Sequence, residues 1–160
     1  MSSLIKRFFL RLLALEPSPE RRARSIALGI AIAFSPLLGI QTPVLFLLAF
    51  LLHLNSGVVF AVVYAVNNPW TMIPIIALDY AVGSFIMETI LGIDLRPYDP
   101  AWADWVTTKL AYYLCVNKLC FWYYCIGGVL ISIVLGVLTY IIIELIQQIN
   151  AAQSEDNHTK

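Results

Sequence analysis

The chain has 160 residues, of which 60% are hydrophobic and 12% are charged, and its formal net charge is zero. Soluble domains usually contain about 25% charged residues, and a chain of this length cannot shield so many apolar side chains from water. The composition therefore predicts a membrane protein. It also excludes a basic nucleic-acid-binding surface, and it excludes disorder outside the polar end of the chain.

Basic residues are concentrated at the beginning of the chain. Because positively charged loops remain in the cytoplasm, we predict a cytoplasmic N-terminus. Residues 1–17 are predicted to form an amphipathic helix in the lipid headgroup region, and the alternative is a helix packed on the protein's own cytoplasmic face. The residues predicted to contact anionic lipid headgroups are Lys6, Arg7, Arg11, Arg21, Arg22 and Arg24.

Residues 18–93 are predicted to form a membrane core in which polar, proline-marked breaks interrupt apolar sequence. The first three apolar runs, at 25–34, 44–54 and 58–66, have 10, 11 and 9 residues. A helix that crosses a membrane needs about 20. We therefore expect proline-broken or re-entrant half-helices, whose open backbone is tolerated only inside protein or beside water. The residues expected to break the helices are Pro36, Gly39, Pro43, Pro69 and Pro74.

The rest of the chain divides into three parts. Residues 94–108 form a polar loop, and its tryptophans are typical of a membrane–water interface. Residues 109–150 contain the clearest spanning segment, Ile126–Ile146. The polar residues 151–160 are predicted to be a disordered tail. The two proline-marked breaks of the core also resemble each other, and an internal repeat is one interpretation of that likeness.

Five polar residues lie at the breaks, inside otherwise apolar sequence: Gln41, Thr42, Asn67, Asn68 and Thr71. An amide or hydroxyl group left unpaired in hydrocarbon costs a few kcal/mol, so these groups must meet each other, open backbone or water. One interpretation is a polar intramembrane site where helix N-termini hold an anionic group. The other is that these residues only cap the broken helices.

Asp79 is the sixth candidate for this site. The sequence has no basic residue within ten positions of it. An intramembrane carboxylate is costly and indicates a functional site by default, where it carries a proton, binds a cation or donates a hydrogen bond. The alternative is a short span in which Asp79 reaches an interface. Glu88 lies nine residues further on and faces the opposite side of a helix, which argues against a carboxylate pair for acid–base catalysis.

The sequence contains no catalytic or metal-binding motif. Cys115, Cys120 and Cys125 are spaced by five residues, which is unlike a metal-binding spacing. A glycine-rich phosphate loop, a nucleophile elbow and a His/Glu metal motif are all absent. We therefore expect no enzyme activity, no metal and no cofactor.

The proline-marked motifs resemble those of a bacterial membrane family, domain of unknown function 2062. The matching motifs lie within about residues 16–92 and are Pro36-x-x-Gly39-x-Gln41-Thr42, Asn68-Pro69-x-Thr71-x-x-Pro74 and Tyr80-x-x-Gly83. This resemblance implies a bacterial membrane location and no established activity.

Together these features predict an all-α, polytopic helical bundle in the bacterial inner membrane, with several passes and a cytoplasmic N-terminus. The leading hypothesis is a small transporter or transport-like protein for a small solute, an ion or a lipid, acting as a homo-oligomer. The rival hypothesis is a non-transporting membrane anchor or partner of an envelope-biogenesis enzyme. The expected partners are the lipid bilayer and its anionic headgroups, and no nucleic acid is expected.

Overall fold

The computed structural model describes residues 18–37, 39–113 and 119–158, and all regular structure within these residues is helical. The α4 helix continues as a π-helical segment, Phe85–Ile90, and two 3₁₀ turns follow, Arg96–Tyr98 and Ala101–Ala103. The prediction of an all-α fold is confirmed for this part of the chain. The α-helices are α1 (Pro19–Ala33), α2 (Gln41–Leu51), α3 (Ser56–Val66), α4 (Pro69–Ser84), α5 (Asp104–Tyr113) and α6 (Phe121–His158).

The long helix α6 is the axis of the fold, and α1 packs along it in the antiparallel direction. At one end, the side-chain amide of Gln147 donates a hydrogen bond to the carbonyl of Pro19 at 3.0 Å. At the other end, a Cβ built on Gly128 would lie 3.1 Å from the ring of Pro36. The arginine-rich start of α1 and the later part of α6 therefore lie at the same end of the bundle, which we call the basic end.

Helices α2 and α3 form a hairpin that covers the outer side of α1. The hydroxyl groups of Thr42 and Tyr64 are 2.6 Å apart, and the ring centroids of Phe46 and Phe60 are 6.2 Å apart. Gly29 of α1 fits against α3, where a built Cβ would lie 2.7 Å from that of Val62. The buried core of this three-helix unit consists of Ile32, Leu45, Ala49, Val59 and Val63.

Helix α4 packs on a different part of α6, also antiparallel to it. Gly127 of α6 contacts the backbone of Asp79, and Gly83 of α4 contacts the backbone of Tyr123. Helices α1 and α4 therefore run in the same direction on either side of α6. The turn that follows α1 meets α4 close to Gly128.

The five residues predicted to break helices occupy different positions relative to the observed helices. Pro36 and Gly39, the latter with a φ of 87°, lie in the turn between α1 and α2. Pro43 lies in the first turn of α2 and Pro69 is the first residue of α4, positions where a missing N–H costs little. Pro74 lies inside α4, so its prediction as a break is wrong. Its fixed φ is compatible with a helix, and the following turns of α4 are held against α6.

The boundaries of the later elements also differ from the predicted ones. Helix α5 begins at Asp104, inside the predicted polar loop 94–108. Helix α6 continues to His158, so the prediction of a disordered tail is wrong for residues 151–158. This stretch lacks glycine and proline, and extending an existing helix requires no new nucleation. The predicted amphipathic helix 1–17, with Lys6, Arg7 and Arg11, lies outside the described residues.

Two helices are long and apolar enough to cross a membrane, Pro69–Ile90 with 22 residues and Phe121–Asn150 with 30. Only 6% of the most apolar stretch of the second is buried, whereas the core helix of a soluble protein is mostly buried. The two helices thus suggest membrane association. Helices α2 and α3 have 11 residues each, so the prediction of segments shorter than a full span is confirmed.

Candidate functional site

The junction between α3 and α4 is closed by hydrogen bonds within the motif Asn68-Pro69-x-Thr71. The side-chain oxygen of Asn68 accepts from the backbone N–H groups of Trp70 and Thr71, at 3.0 and 3.1 Å. The Thr71 hydroxyl accepts from the Asn68 N–H at 3.1 Å and also contacts the carbonyl of Val66. This reciprocal arrangement is a capping box, in which the two side chains satisfy N–H groups that have no partner inside the helix.

A second polar contact joins the ends of three helices. The side-chain amide of Asn67, at the end of α3, donates to the side-chain oxygen of Gln41 at 3.1 Å. The amide nitrogen of Gln41, the first residue of α2, donates to the carbonyl of Ile32 near the end of α1 at 3.4 Å. Gln41 and Asn67 therefore bridge the two breaks predicted from sequence.

All five polar residues at the breaks thus have a partner within the protein. Gln41 pairs with Asn67, Asn68 with Thr71, and Thr42 with the hydroxyl of Tyr64. These contacts agree with the interpretation that the polar residues satisfy the open ends of broken helices. The sequence did not predict the Tyr64 contact, because Tyr64 lies 22 residues from Thr42 within an apolar run.

Asp79 lies apart from these contacts, at the junction of α4, α6 and the turn that follows α1. Its side chain is 1% exposed, and its Oδ1 atom has no hydrogen-bond partner among the described residues. Its Oδ2 atom lies 3.3 Å from a Cβ built on Gly128, and Pro36 lies against the same glycine. The six residues predicted as one site therefore divide into five that take part in three separate hydrogen-bonded contacts and one separate buried carboxylate.

The ion pairs of the described residues leave Asp79 without a cation. Arg24 pairs with Glu20, and Arg96 pairs with both Glu88 and Asp94. An ionised carboxylate buried without a partner costs several kcal/mol. A proton, a cation or a polar group at this junction would remove that cost.

A polar cluster that the sequence did not indicate connects the loop after α4 to the start of α6. The carboxylate of Asp94 accepts hydrogen bonds from the hydroxyl of Tyr123 at 3.1 Å and from the backbone and side chain of Arg96 at 2.9 and 3.0 Å. The hydrogen bonds from Arg96 hold the pKa of the Asp94 carboxyl below its ordinary value. The loop and the two helices are thereby fixed to each other.

Asp99 binds the beginning of α6 from outside the helix. Its Oδ1 atom accepts from the backbone N–H of Phe121 at 2.8 Å and from the thiol of Cys120 at 3.3 Å. A carboxylate at this position neutralises the positive end of the helix dipole. Sequence reasoning missed this contact, since the two partners are 22 residues apart and no spacing rule connects them.

The basic residues of α1 differ in their surroundings. Arg21 is exposed, Arg22 is half-buried and Arg24 is exposed while paired with Glu20 one helical turn earlier. The prediction that these arginines contact lipid headgroups therefore remains a prediction, and for Arg24 the structure adds an intramolecular partner. Within residues 18–37, 39–113 and 119–158, no group of three His, Cys, Asp or Glu side chains is placed to hold a metal ion.

These features define an all-α protein with two helices of membrane-spanning length and several short helices joined at polar breaks. The family model described as "Uncharacterized protein conserved in bacteria (DUF2062)" matches residues 2–155. The chain belongs to this family, and the match extends well beyond residues 16–92, which contain the proline-marked motifs. No curated protein and no solved structure matches the chain.

Proposed function

We propose that the chain is a multi-pass protein of the bacterial inner membrane that transports a small solute or ion, with Asp79 as its proton- or cation-binding group. The proposal rests on one observation, the buried carboxylate of Asp79 without a hydrogen-bond partner for Oδ1 in the described residues. A charged group is rarely retained inside a membrane unless it takes part in a pathway for protons, ions or substrate.

The proposed orientation follows from the basic end of the bundle. Arg21, Arg22 and Arg24 lie in the first two turns of α1, close to the level of Gln147 on α6. Because basic segments stay on the cytoplasmic side, the basic end faces the cytoplasm, together with the later part of α6. The loop after α4 and the start of α6 then face the periplasm.

Two relationships support a re-entrant α1–α2 hairpin. The turn after α1 contacts Gly128, which lies seven residues inside the start of α6 at Phe121. Seven helical residues correspond to about 10 Å. The chain then returns through α2, whose end brings Leu52 to the same cleft as Arg24 of α1. In our proposal α1 and α2 therefore enter and leave the membrane on the cytoplasmic side.

The register of α4 on α6 supports a break within the membrane between α3 and α4. Asp79 faces Gly127, and Pro69 lies ten residues earlier on α4. In an antiparallel pair, Pro69 is thus near the level of Val137, close to the middle of the span Phe121–Asn150. Asp79 is ten residues further along α4, about 15 Å closer to the periplasmic end of that span. Helices α3 and α4 would form one interrupted crossing, an arrangement that transporters use to place polar groups at mid-membrane.

Ion flux through reconstituted protein tests the proposal. Vesicles that contain the purified chain and an internal pH-sensitive dye receive a pH gradient, and sodium or potassium ions are then added outside. Wild-type protein should dissipate the gradient, and Asp79→Asn should reduce the flux to that of protein-free vesicles. Asp104→Asn, which removes an exposed carboxylate at the start of α5, is the matched control. Equal flux through wild type and Asp79→Asn would contradict a role for Asp79.

Chemical labelling tests the same carboxyl group without a known substrate. Dicyclohexylcarbodiimide reacts with protonated carboxyl groups in apolar surroundings, and mass spectrometry of the digested protein locates the adduct. We expect labelling at Asp79 and none at Asp104, with protection by the ion that supports flux. If neither flux nor labelling is observed, and an enzyme co-purifies in stoichiometric amount, the anchor or partner hypothesis replaces transport.

A further inference from the structure

A cleft of about 620 Å³ lies between α1, the turn that joins α2 to α3, and α6. This volume is within the range of about 300–1,000 Å³ that is usual for ligand sites. Its walls are almost entirely apolar, and it is separate from the Asp79 junction. The apolar residues that line it include Leu28, Ala31, Leu52, Leu54, Ile133 and Val137.

The polar groups of the cleft are concentrated toward its basic end. Arg24 and Tyr140 lie at that end, and Ser132 lies near the opposite end of the cleft. The separation of eight positions between Ser132 and Tyr140 corresponds to about 12 Å along the helix. The cleft is thus an elongated apolar groove with a cation at one end, which matches the shape and polarity of a lipid.

The charge near Arg24 favours an anionic headgroup. The described charged side chains in the first two turns of α1 and at the level of Tyr140 on α6 are three arginines and two carboxylates, a net positive charge; they are Arg21, Arg22, Arg24, Glu20 and Glu144. The guanidinium group of Arg24 has five N–H donors, so its contact with Glu20 leaves donors for phosphate oxygens. The side chain of Arg24 is 55% exposed and therefore accessible to a ligand.

We propose that this groove binds an anionic phospholipid, with one acyl chain along the apolar walls and the phosphate at Arg24. The inference shares the membrane location with the proposed function but does not depend on transport. Bound lipid would fill the space between the α2–α3 hairpin and α6, which the described protein atoms leave open. It would thereby connect the hairpin to the long helix.

Two adjacent residues of α6 allow a matched test of the groove. Val137 lines it and is 53% exposed, whereas Leu138 is 48% exposed and is not among the lining residues. The purified full-length chain in detergent is mixed with phosphatidylglycerol or phosphatidylethanolamine of identical acyl chains, and native mass spectrometry counts the lipid retained. Wild type and Leu138→Trp should retain phosphatidylglycerol preferentially, and Val137→Trp should lose this retention.

The headgroup contact is tested with a pair of arginine variants. Arg24→Gln should lose the preference for phosphatidylglycerol over phosphatidylethanolamine, while Arg21→Gln should keep most of it. The melting temperature should rise with added phosphatidylglycerol in wild type and not in Val137→Trp, because a ligand stabilises the state that it binds.

Several outcomes would overturn the proposal. Equal retention of the two lipids by wild type, or binding by Val137→Trp at the level of wild type, would contradict the proposal. An equal loss of binding in Leu138→Trp would indicate only the general lipid layer. A change of oligomeric state in Val137→Trp would instead assign the groove to a second copy of the chain. None of these results bears on ion flux through Asp79, so the two proposals fail independently.

Discussion

Gly83 of α4 and Gly127 of α6 bring the backbones of the two helices into direct contact. A Cβ built on Gly83 would lie 1.8 Å from the carbonyl oxygen of Tyr123, and one built on Gly127 would lie 1.7 Å from the carbonyl oxygen of Asp79. Only hydrogen atoms fit at these positions. Because the two backbones are so close, the side chain of Asp79 lies against α6, and its carboxyl group is therefore buried.

Alanine at either glycine should therefore destabilise the protein strongly. Overpacking in a rigid contact costs about 1–3 kcal/mol or more, and here the obstructing atoms belong to backbone that cannot rotate away. We expect Gly83→Ala and Gly127→Ala to lower the melting temperature in detergent by several degrees. Gly136→Ala is the control, since its Cβ would lie 3.0 Å from the Cβ of Ala31 and 3.5 Å from the carbonyl oxygen of Ala27, much further than in the other two variants. An equal loss in all three variants would contradict the geometry of the crossing.

The capping box at the start of α4 gives a second prediction. Asn68→Ala removes the acceptor for the N–H groups of Trp70 and Thr71, and loss of such a cap costs about 1 kcal/mol. Asn68→Ser retains an acceptor and should recover most of the stability. Reversible unfolding in mixed detergent micelles measures the free energies. Similar stability of the alanine and serine variants would show that the cap contributes little.

The amide contact between Gln41 and Asn67 is best measured with a double-mutant cycle. Polar contacts between membrane helices contribute about 0.6 kcal/mol on average, with a maximum near 1.7. We expect Gln41→Ala and Asn67→Ala to be coupled by an energy in this range, because each removes the same 3.1 Å hydrogen bond. Gln41→Ala paired with Asn68→Ala is the control, for which we expect a smaller coupling. Additive effects of the first pair would contradict a direct contact.

Asp94 should make stability depend on pH in acid. Hydrogen bonds from Arg96 lower the pKa of Asp94 from its ordinary value of 3.8. A carboxyl group whose pKa is lower in the folded state stabilises the protein above its unfolded pKa, and this contribution disappears as the pH falls through the folded pKa. Melting temperatures measured between pH 6 and about 3 should fall less steeply for Asp94→Asn than for wild type below about pH 4.

Asp104→Asn serves as the control for that experiment, since Asp104 is exposed at the start of α5. Its melting profile should keep the slope of wild type. Parallel acid profiles for Asp94→Asn and wild type would mean that the Arg96 contact does not persist in solution.

The end of α2 offers a stabilising substitution. His53 has a φ of 53°, and its N–H bonds the carbonyl of Phe50 while that of Leu54 bonds the carbonyl of Ala49. Glycine is favoured at this left-handed position after a helix, so His53→Gly should stabilise the protein by about 0.5–1 kcal/mol. Leu52→Gly should instead destabilise it, because Leu52 has a φ of −90°. If Leu52→Gly were more stable than His53→Gly, the assignment of His53 to the left-handed position would be contradicted.

Local features of the fold were predictable where neighbouring residues decide the structure. The pattern Asn68-Pro69-x-Thr71 contains a cap, a proline suited to the first helical position and a reciprocal hydroxyl, so it specifies a helix start by itself. The shortness of α2 and α3 also followed from the spacing of polar residues. Pro74 was misjudged because a lost hydrogen bond at one residue is outweighed by the packing of the turns that follow it.

Contacts between distant residues were not predictable in the same way. Asp99 and Phe121 are 22 residues apart, and nothing in either segment identifies the other as its partner. Gln41 and Asn67 were both recognised as polar residues that need a partner, yet the sequence did not identify their contact with each other. Such pairings depend on how the helices are arranged, which is a property of the whole chain.

The sequence by itself determined that the chain is helical and apolar. It also located most of the helix breaks, though not correctly at Pro74, and it identified Asp79 as an isolated carboxyl group in an apolar segment. Those properties depend on composition and on interactions within a few residues. The tertiary structure decided which polar groups form hydrogen bonds with each other and which polar group has no such partner. Asp79 is left without a partner for Oδ1 within the described chain, because the glycines at 83 and 127 let two backbones meet beside it.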